Sequence, residues 1–250
     1  MPPEEPLAEA WRLYENRNFA GAMKRAFAEL DSLQGSDLRD AHRLLGRCSL
    51  HQRTYGDAAN WLQAAAFGSD EAMDWLQLAI AAVLAHETAR SREAFEQMIA
   101  IQSSCQFAQG PGYYRQLAWY ASALCEAGEL ELALPLLNEL AAAYHRVHTT
   151  TPSHLYVAKM PMLATMLELV VRYFRTCGQH TEGVAWLQAL SQGLDDEGQR
   201  RTQKAIAELL HEGGLMPGSS ASGELATETS RAQSLQAVRS DTTSHEEKTS

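Results

Sequence analysis

Three histidines form the pattern in this sequence that comes nearest to a metal site. His145 and His148 are one helical turn apart, and His154 follows after a short loop. Two imidazoles at this spacing can share a cation, and a third can complete the site. However, no Asp or Glu lies between residues 141 and 160, and histidine has an ordinary role near a helix C-terminus. We therefore predict no bound metal and keep a metal-dependent enzyme that uses this cluster as an alternative.

Other motifs that would indicate catalysis are missing from the sequence. Gly110-Pro111-Gly112 lacks the Lys-Ser/Thr pair and the preceding strand of a phosphate-binding loop, and there is no G-x-S-x-G or H-E-x-x-H motif. The cysteines, at positions 48, 105, 125 and 177, form no C-x-x-C pair, so we expect reduced, partly buried thiols. The sequence thus predicts a protein that is not an enzyme and has no cofactor.

Arg43 and Arg47 point to binding instead of catalysis. They are four residues apart, so they would lie on one face of a helix. Two guanidinium groups at this spacing can form a bidentate clamp for a carboxylate. In the alternative interpretation, both arginines are solvated or pair with Asp40 and Glu87. The sequence leaves both interpretations open.

Charge and hydropathy limit the possible partners and locations. The 250 residues carry a formal net charge of -10, which would repel a phosphate backbone, so we expect no nucleic-acid partner. The longest apolar run, residues 78–85, is far shorter than the ~20 residues that cross a bilayer. The N-terminal stretch carries acidic residues where a secretory signal carries basic ones. These features predict a cytoplasmic protein without a membrane span.

The segment 45–65 best indicates the elements that would position these residues. A Leu-Gly dipeptide ending at Gly46 is followed by Tyr55, Ala58 and Leu62. Gly46 and Ala58 are small, so two helices could approach each other closely at these positions. The larger side chains would then fill the space around the contact. The spacing therefore predicts a tightly packed helix pair.

This segment resembles one repeat of the tetratricopeptide repeat (TPR) family, a helix-turn-helix unit of about 34 residues. When other segments are aligned on Ala58, small residues recur in steps of 36, 36, 39 and 50 residues, at Ala22, Ala58, Ala94, Ala133 and Gly183. The tripeptide Gly-Ser-Asp occurs at 35–37 and again at 68–70. In each copy we expect the glycine to end one helix in a left-handed conformation and the Ser or Asp to cap the next.

The resemblance implies an all-α fold, namely a right-handed α-solenoid of antiparallel helix pairs with a C-terminal capping helix. The TPR-like domain would span residues 5–212, with units at about 5–34, 36–67, 70–104, 112–148 and 153–193 and the capping helix at 196–211. Pro161 should interrupt or kink a helical stretch from about 153 to 177. The Ser/Thr/Glu-rich segment 213–250 has no aromatic residue and should be a disordered tail.

In TPR proteins the first helices of successive units line a concave groove that usually binds an extended peptide or a helix of a partner protein. The groove-facing positions of the family correspond here to Trp11, Tyr14, Arg43, Arg47, His51, His86, Arg115, Trp119 and Arg172. The resemblance therefore implies a non-catalytic adaptor that binds a protein or peptide partner in this groove. An alternative is a helical-repeat sensor of a small molecule or peptide, with its pocket near Pro161.

Overall fold

In a computed structural model, the chain is described over residues 7–104 and 112–212, and these residues form α-helices without any β-strand. Alanine is frequent in these ranges and proline is sparse, which favours helix. The helices are α1 (Ala8–Glu15), α2 (Phe19–Glu29), α3 (Gly35–His51), α4 (Tyr55–Ala66), α5 (Ala72–Leu84), α6 (Thr88–Ser104), α7 (Tyr113–Ala127), α8 (Leu130–Val147), α9 (Pro152–Val157), α10 (Leu163–Cys177), α11 (His180–Gln192) and α12 (Asp196–Glu212). The predicted all-α class is confirmed for the described residues.

Helices that are consecutive in the chain pack against each other from α1 through α6, and the same holds for α7 with α8 and for α10 with α11. A second set of contacts joins alternate helices: α1 contacts α3, α5 contacts α7, and α7 contacts α10. The first helices of the predicted pairs therefore lie beside one another at several places along the chain.

The recurring small residues are buried on the second helix of each predicted pair. They lie on α2, α4, α6, α8 and α11, at Ala22, Ala58, Ala94, Ala133 and Gly183. The close approach predicted at Gly46 is also confirmed, because a Cβ atom at this position would lie 2.5 Å from Cγ of Leu62 on the neighbouring helix. Small side chains thus allow α3 and α4 to pack closely.

The two Gly-Ser-Asp tripeptides share the predicted glycine conformation, but neither provides the predicted side-chain cap for the next helix. Gly35 and Gly68 have φ of 57° and 69°, the left-handed conformation that glycine adopts readily. In the second copy, Ser69 Oγ accepts a hydrogen bond from the Glu71 N–H at 3.1 Å, but Glu71 precedes α5 and no side chain caps the start of that helix. The first copy also departs from the prediction, because α3 begins at Gly35 itself and no side chain caps its start.

Helix bounds differ from the prediction in the first unit and agree with it near Pro161 in the fifth unit. In the first unit, α2 ends at Glu29, and a short 3-10 helix (Leu30–Ser32) replaces the last turn expected before residue 34. In the fifth unit the predicted interruption at Pro161 is confirmed. The chain leaves helical conformation between α9 and α10, because the proline ring removes an N–H donor and disfavours helix in the residue before it.

The described residues up to Leu209 belong to one compact unit. Of a second unit, which begins at Leu210, the structure describes only the last residues of α12. The predicted disordered tail, 213–250, lies outside the described residues, as do the first two residues of the Gly-Pro-Gly segment at 110–112. Within the ranges that the structure describes, no helix combines the length and the apolar character needed to cross a membrane.

Candidate functional site

The sequence-predicted contact residues lie mainly around two neighbouring cavities. The first, which we call the α3–α5 cavity, has a volume of about 720 Å³ and also receives residues from α1, α4 and α7. The second, the α7–α10 cavity, has a volume of about 530 Å³ and includes residues from α9 and from the loop after it. Trp119 on α7 lines both cavities. This residue therefore joins the two into one candidate binding surface.

Six of the nine predicted residues line these cavities. The α3–α5 cavity has Tyr14, Arg47, His51 and Trp119, and the α7–α10 cavity has Arg115, Trp119 and Arg172. Trp11 lines neither cavity, but its ring centroid is 5.5 Å from the guanidinium carbon of Arg47, which lines the first. His86 follows the end of α5 with φ of 61° and lines neither cavity, so its assignment to the groove is not supported by its position.

Arg43 is occupied by an internal ion pair. Its Nε and Nη2 donate to the two carboxylate oxygens of Asp74 at 2.6 and 2.7 Å, and it also pairs with Asp40. The Asp74 side chain is only 1% exposed, and that of Arg43 is 14% exposed. The hydrogen bond from Arg43 to Asp74 is the largest of the effects that raise the pKa of the arginine above its ordinary value. Arg43 thus joins α3 to α5.

The predicted two-arginine clamp is corrected accordingly. Arg43 could bind a ligand carboxylate only by releasing Asp74, which would leave that carboxylate buried without its cation. Of the alternative partners considered for the arginines, Asp40 is confirmed and Glu87 is wrong, because Glu87 pairs with Arg90 at 2.7 Å. The buried carboxylate of α5 gave no recognisable signal in the sequence.

Arg47 has a different environment although it lies on the same helix face. Its Nε donates to Gln77 Oε1 at 3.1 Å, and its guanidinium group lies over the Trp11 ring. Among the described residues, no carboxylate lies within ion-pair distance of it. Burial lowers its pKa from the ordinary value, but arginine remains protonated in proteins. The α3–α5 cavity therefore contains a cation that has no acidic partner in the described chain.

Aromatic packing fixes the wall of the α3–α5 cavity beside Arg47. The hydroxyl of Tyr14 and Nε2 of His51 are 3.1 Å apart, and the His51 ring stacks on Phe19 with centroids 4.3 Å apart. Burial is the largest effect on the phenol of Tyr14 and raises its pKa. These residues come from α1, α2 and α3, so the wall depends on the packing of three helices.

The α7–α10 cavity contains two further arginines. Arg115 donates from Nε to the Met160 carbonyl at 3.1 Å, and its guanidinium carbon lies 5.2 Å from the centroid of the Tyr156 ring. Arg172 donates from Nη2 to Ser122 Oγ at 2.6 Å. Neither arginine forms an ion pair with a carboxylate in the part of the chain that the structure describes. Arg115 therefore holds the loop after α9 in place, and Arg172 lies in the cavity wall.

Sequence reasoning missed the cavity residues that α9 and its following loop provide. Tyr156, Met160 and Met162 line the α7–α10 cavity, and none of them occupies a position predicted from the repeat spacing. Pro161, near which a pocket was expected in the ligand-sensor hypothesis, does line this cavity. The apolar residues clustered around this proline were the available signal, because a broken helix cannot bury them in a regular stripe.

The histidines considered for metal binding do not assemble into a site. His145 Nε2 lies 3.0 Å from the Leu190 carbonyl, and His148 follows the end of α8 with φ of 53°. In residues 7–104 and 112–212, no group of three or more His, Cys, Asp or Glu side chains is arranged to hold a metal ion. The His145, His148 and His154 cluster therefore carries no metal proposal.

No family model matches this chain, and no similar protein was found among curated proteins or solved structures. The fold and the site alone therefore define the class of protein: a helical protein whose consecutive helices pack in pairs and whose α1, α3, α5, α7 and α10 contribute to two partly apolar cavities.

Proposed function

We propose that the protein is a TPR-like helical-repeat adaptor that captures a segment of a partner protein on the surface formed by the two cavities. The recurring buried small residues and the contacts between alternate helices support a right-handed solenoid of helix pairs. Peptide capture would then require no catalytic group, only a preformed surface to which several helices contribute.

The observation that carries this proposal is the position of Trp119. Its side chain is 44% exposed although it lies between two cavities that are lined by residues from several helices. Burying a partly exposed tryptophan against a partner releases water from a large apolar surface. Tryptophan and arginine are also the residues most enriched among those that dominate binding energy, and arginines lie on both sides of Trp119.

Charge further defines the partner segment. The two cavities are lined by three arginines, at positions 47, 115 and 172, and by two glutamates, Glu126 and Glu168. Their balance is opposite in sign to the net charge of -10 of the whole chain. A segment with acidic and apolar side chains would complement this surface.

Replacing Trp119 with Ala tests the proposal. Phe27→Ala is a matched control, because Phe27 is 45% exposed, lies on α2 and lines neither cavity. Each purified variant is used to capture partners from lysate of the native cell, with quantitative mass spectrometry as the measurement. We expect Trp119→Ala to reduce capture of the main partner about tenfold or more, and Phe27→Ala to leave it unchanged. Equal capture by both variants would reject the surface.

A non-catalytic role agrees with the state of the thiols. Burial raises the pKa of Cys48 and of Cys125 to about 11, so both are protonated and unreactive at neutral pH. Cys177 is also unpaired, whereas Cys105 lies outside the described residues. Unpaired thiols are typical of a reducing compartment, and we propose a cytoplasmic location on this ground.

A second candidate function is sensing of a small molecule or short peptide. The α7–α10 cavity favours it, because its volume of about 530 Å³ falls within the range of about 300–1,000 Å³ that is typical of small-ligand sites. Ligand-dependent thermal stabilisation of the purified protein would distinguish this function from partner capture alone.

A further inference from the structure

We infer that the α7–α10 cavity binds an anionic group joined to an apolar or aromatic body. This inference rests on the second candidate function, ligand sensing, and does not require the first. The shared chemistry is a carboxylate next to a hydrocarbon group, which a small organic acid or an acidic-aromatic peptide can present. Charge, free donors and exposed apolar surface within the cavity support it independently.

Charge is the first support. The ionisable side chains among those that line the cavity include Arg115, Arg172 and a single acid, Glu168. Glu168 lies one helical turn before Arg172 on α10, yet the two form no ion pair in the described structure. Two guanidinium groups and one carboxylate leave the cavity cationic, within a chain whose net charge is -10. An anion entering this cavity meets complementary charge.

Free hydrogen-bond donors are the second support. Arg172 donates one bond, from Nη2 to Ser122, which leaves Nε and Nη1 with no acceptor in the described chain. Arg115 donates from Nε and Nη2 to backbone carbonyls of the loop, at 3.1 and 3.5 Å, which leaves Nη1. Guanidinium groups recognise carboxylates through several N–H donors in a fixed geometry. Both arginines are therefore held in place while they keep donors for a ligand.

Exposed apolar surface is the third support. Trp119, Tyr156 and Met162 are among the large hydrophobic side chains that are exposed in the described ranges, and all three line this one cavity. Clustered apolar exposure beside a concave surface is typical of a binding site. The aromatic face of Trp119 and the flexible thioether of Met162 suit a hydrocarbon body of variable shape.

The experiment compares matched ligands by calorimetry and by thermal unfolding of the full chain. The small-molecule probes are naphthaleneacetate and dodecanoate, each compared with its neutral alcohol. The peptide probe is a capped Gly-Glu-Phe-Leu-Gly, compared with its Gln version. We expect at least one acid to bind and to raise the melting temperature, and its neutral analogue to bind roughly tenfold or more weakly, because charged hydrogen bonds dominate recognition. Binding of a small-molecule probe or of the peptide probe shows which kind of molecule presents the carboxylate.

Two single substitutions should change the affinity in opposite directions. Arg172→Gln removes the cation with the most free donors and should weaken acid binding about tenfold. Glu168→Gln removes the single acid among the described residues that line the cavity and should strengthen acid binding several-fold. Both side chains are exposed, so we expect these variants to fold normally. Arg175→Gln is the control on the same helix, because Arg175 pairs with Glu208 and does not line the cavity.

The outcomes separate this inference from the proposed functions. If the acids and the neutral analogues bind equally, or if Arg172→Gln and Glu168→Gln leave the affinity unchanged, the anionic ligand class is rejected although a sensing function survives. If no probe binds at millimolar concentration, both the ligand class and the sensing function are rejected. Partner capture through Trp119 is measured separately and is not affected by either result.

Discussion

At the scale of single residues, two arginines one helical turn apart have different roles. Arg43 is held by Asp74 of α5, whereas Arg47 contacts Gln77 and Trp11 and faces a cavity. The difference arises because the buried carboxylate of Asp74 lies opposite Arg43, whereas no carboxylate of the described residues lies within ion-pair distance of Arg47. Arg43 is therefore assigned to structure, and Arg47 remains a candidate contact for a partner.

The first prediction concerns this ion pair. Replacing Arg43 with Met should lower the free energy of unfolding by about 3 kcal/mol, because Asp74 would stay buried without its cation. Arg47→Met should cost less, about 1 kcal/mol, since it removes one hydrogen bond to Gln77 and the cation–π contact with Trp11 but leaves no buried carboxylate unpaired. Urea denaturation monitored by circular dichroism measures both values.

A double variant controls for lost packing. If the unpaired carboxylate causes the destabilisation, Arg43→Met combined with Asp74→Leu should be more stable than Arg43→Met alone, because the second change removes the buried charge. Equal stability of Arg43→Met and Arg47→Met would contradict the assignment of Arg43 to a structural role.

At the scale of elements, the contact between α3 and α4 depends on the absence of a side chain. A Cβ atom on Gly46 would lie 2.5 Å from Leu62 Cγ and 3.3 Å from the Leu62 backbone nitrogen. Leu62 is fully buried, so it has little room to move. The helix pair can therefore keep this separation only while residue 46 is glycine.

The second prediction follows from this contact. Gly46→Ala should lower the free energy of unfolding by about 1–2 kcal/mol, because overpacking exceeds the helix preference of alanine. Gly56→Ala on α4 is the control: a Cβ there meets nothing within 4 Å, so we expect unchanged or slightly increased stability. Thermal and urea unfolding measure the difference. A Gly46→Ala protein as stable as Gly56→Ala would show that the helices separate without cost.

Asp195 connects the start of α12 to the turn before α9. One carboxylate oxygen accepts from the Gly198 N–H at 2.9 Å, as a helix-capping residue does, and the other accepts from the Thr150 N–H at 2.7 Å. Burial alone would raise the pKa of Asp195, but the hydrogen bonds from Thr150 and Gly198 outweigh it, and the net pKa is lowered. The ionised carboxylate therefore stabilises this junction.

The third prediction is the effect of removing this carboxylate. Asp195→Ala should lower the free energy of unfolding by about 2 kcal/mol at neutral pH, because it removes a cap and leaves the Thr150 N–H unpaired. Asp196→Ala, at the exposed neighbouring position, should cost about 0.5 kcal/mol or less. Chemical denaturation at neutral pH measures both values.

The same residue predicts a pH dependence with a definite sign. The pKa of Asp195 is lower in the folded state than the ordinary 3.8. The ionised carboxylate therefore makes its full contribution to the free energy of unfolding above pH 3.8, and this contribution is lost as the pH falls through the folded-state pKa. The stability difference between the parent protein and Asp195→Ala should therefore shrink below pH 3.8. A difference that stays constant on acidification would show that the charge of Asp195 is not what stabilises the junction.

At the scale of the whole molecule, charge is distributed unevenly. The chain has a net charge of -10, yet Arg47, Arg115 and Arg172 line the cavities and have no acidic partner in the described residues. The overall charge supports the expectation of no nucleic-acid partner, which stays a prediction. The local charge is what directs the proposed binding of acidic segments and anionic ligands to one surface.

Sequence spacing predicted the helix pairs well where packing requires a small residue at a fixed position. Gly46, Ala58 and the break at Pro161 are examples, because a close helix contact or a proline acts through its immediate neighbours. It also selected six of the residues that line the two cavities. His86 follows the end of its helix and lines neither cavity, so its assignment to the groove stays a prediction.

By itself, the sequence determined the all-α class, the helix pairing and the face of each helix that is apolar, because these depend on residue types at helical spacing. Only the tertiary structure decided which arginine meets a buried carboxylate and where α9 and the Pro161 loop complete a cavity. Asp74 lies 31 residues from Arg43, and Arg115 meets the Met160 carbonyl across 45 residues. Contacts at such separations are set by how helices pack, and the local pattern does not encode them.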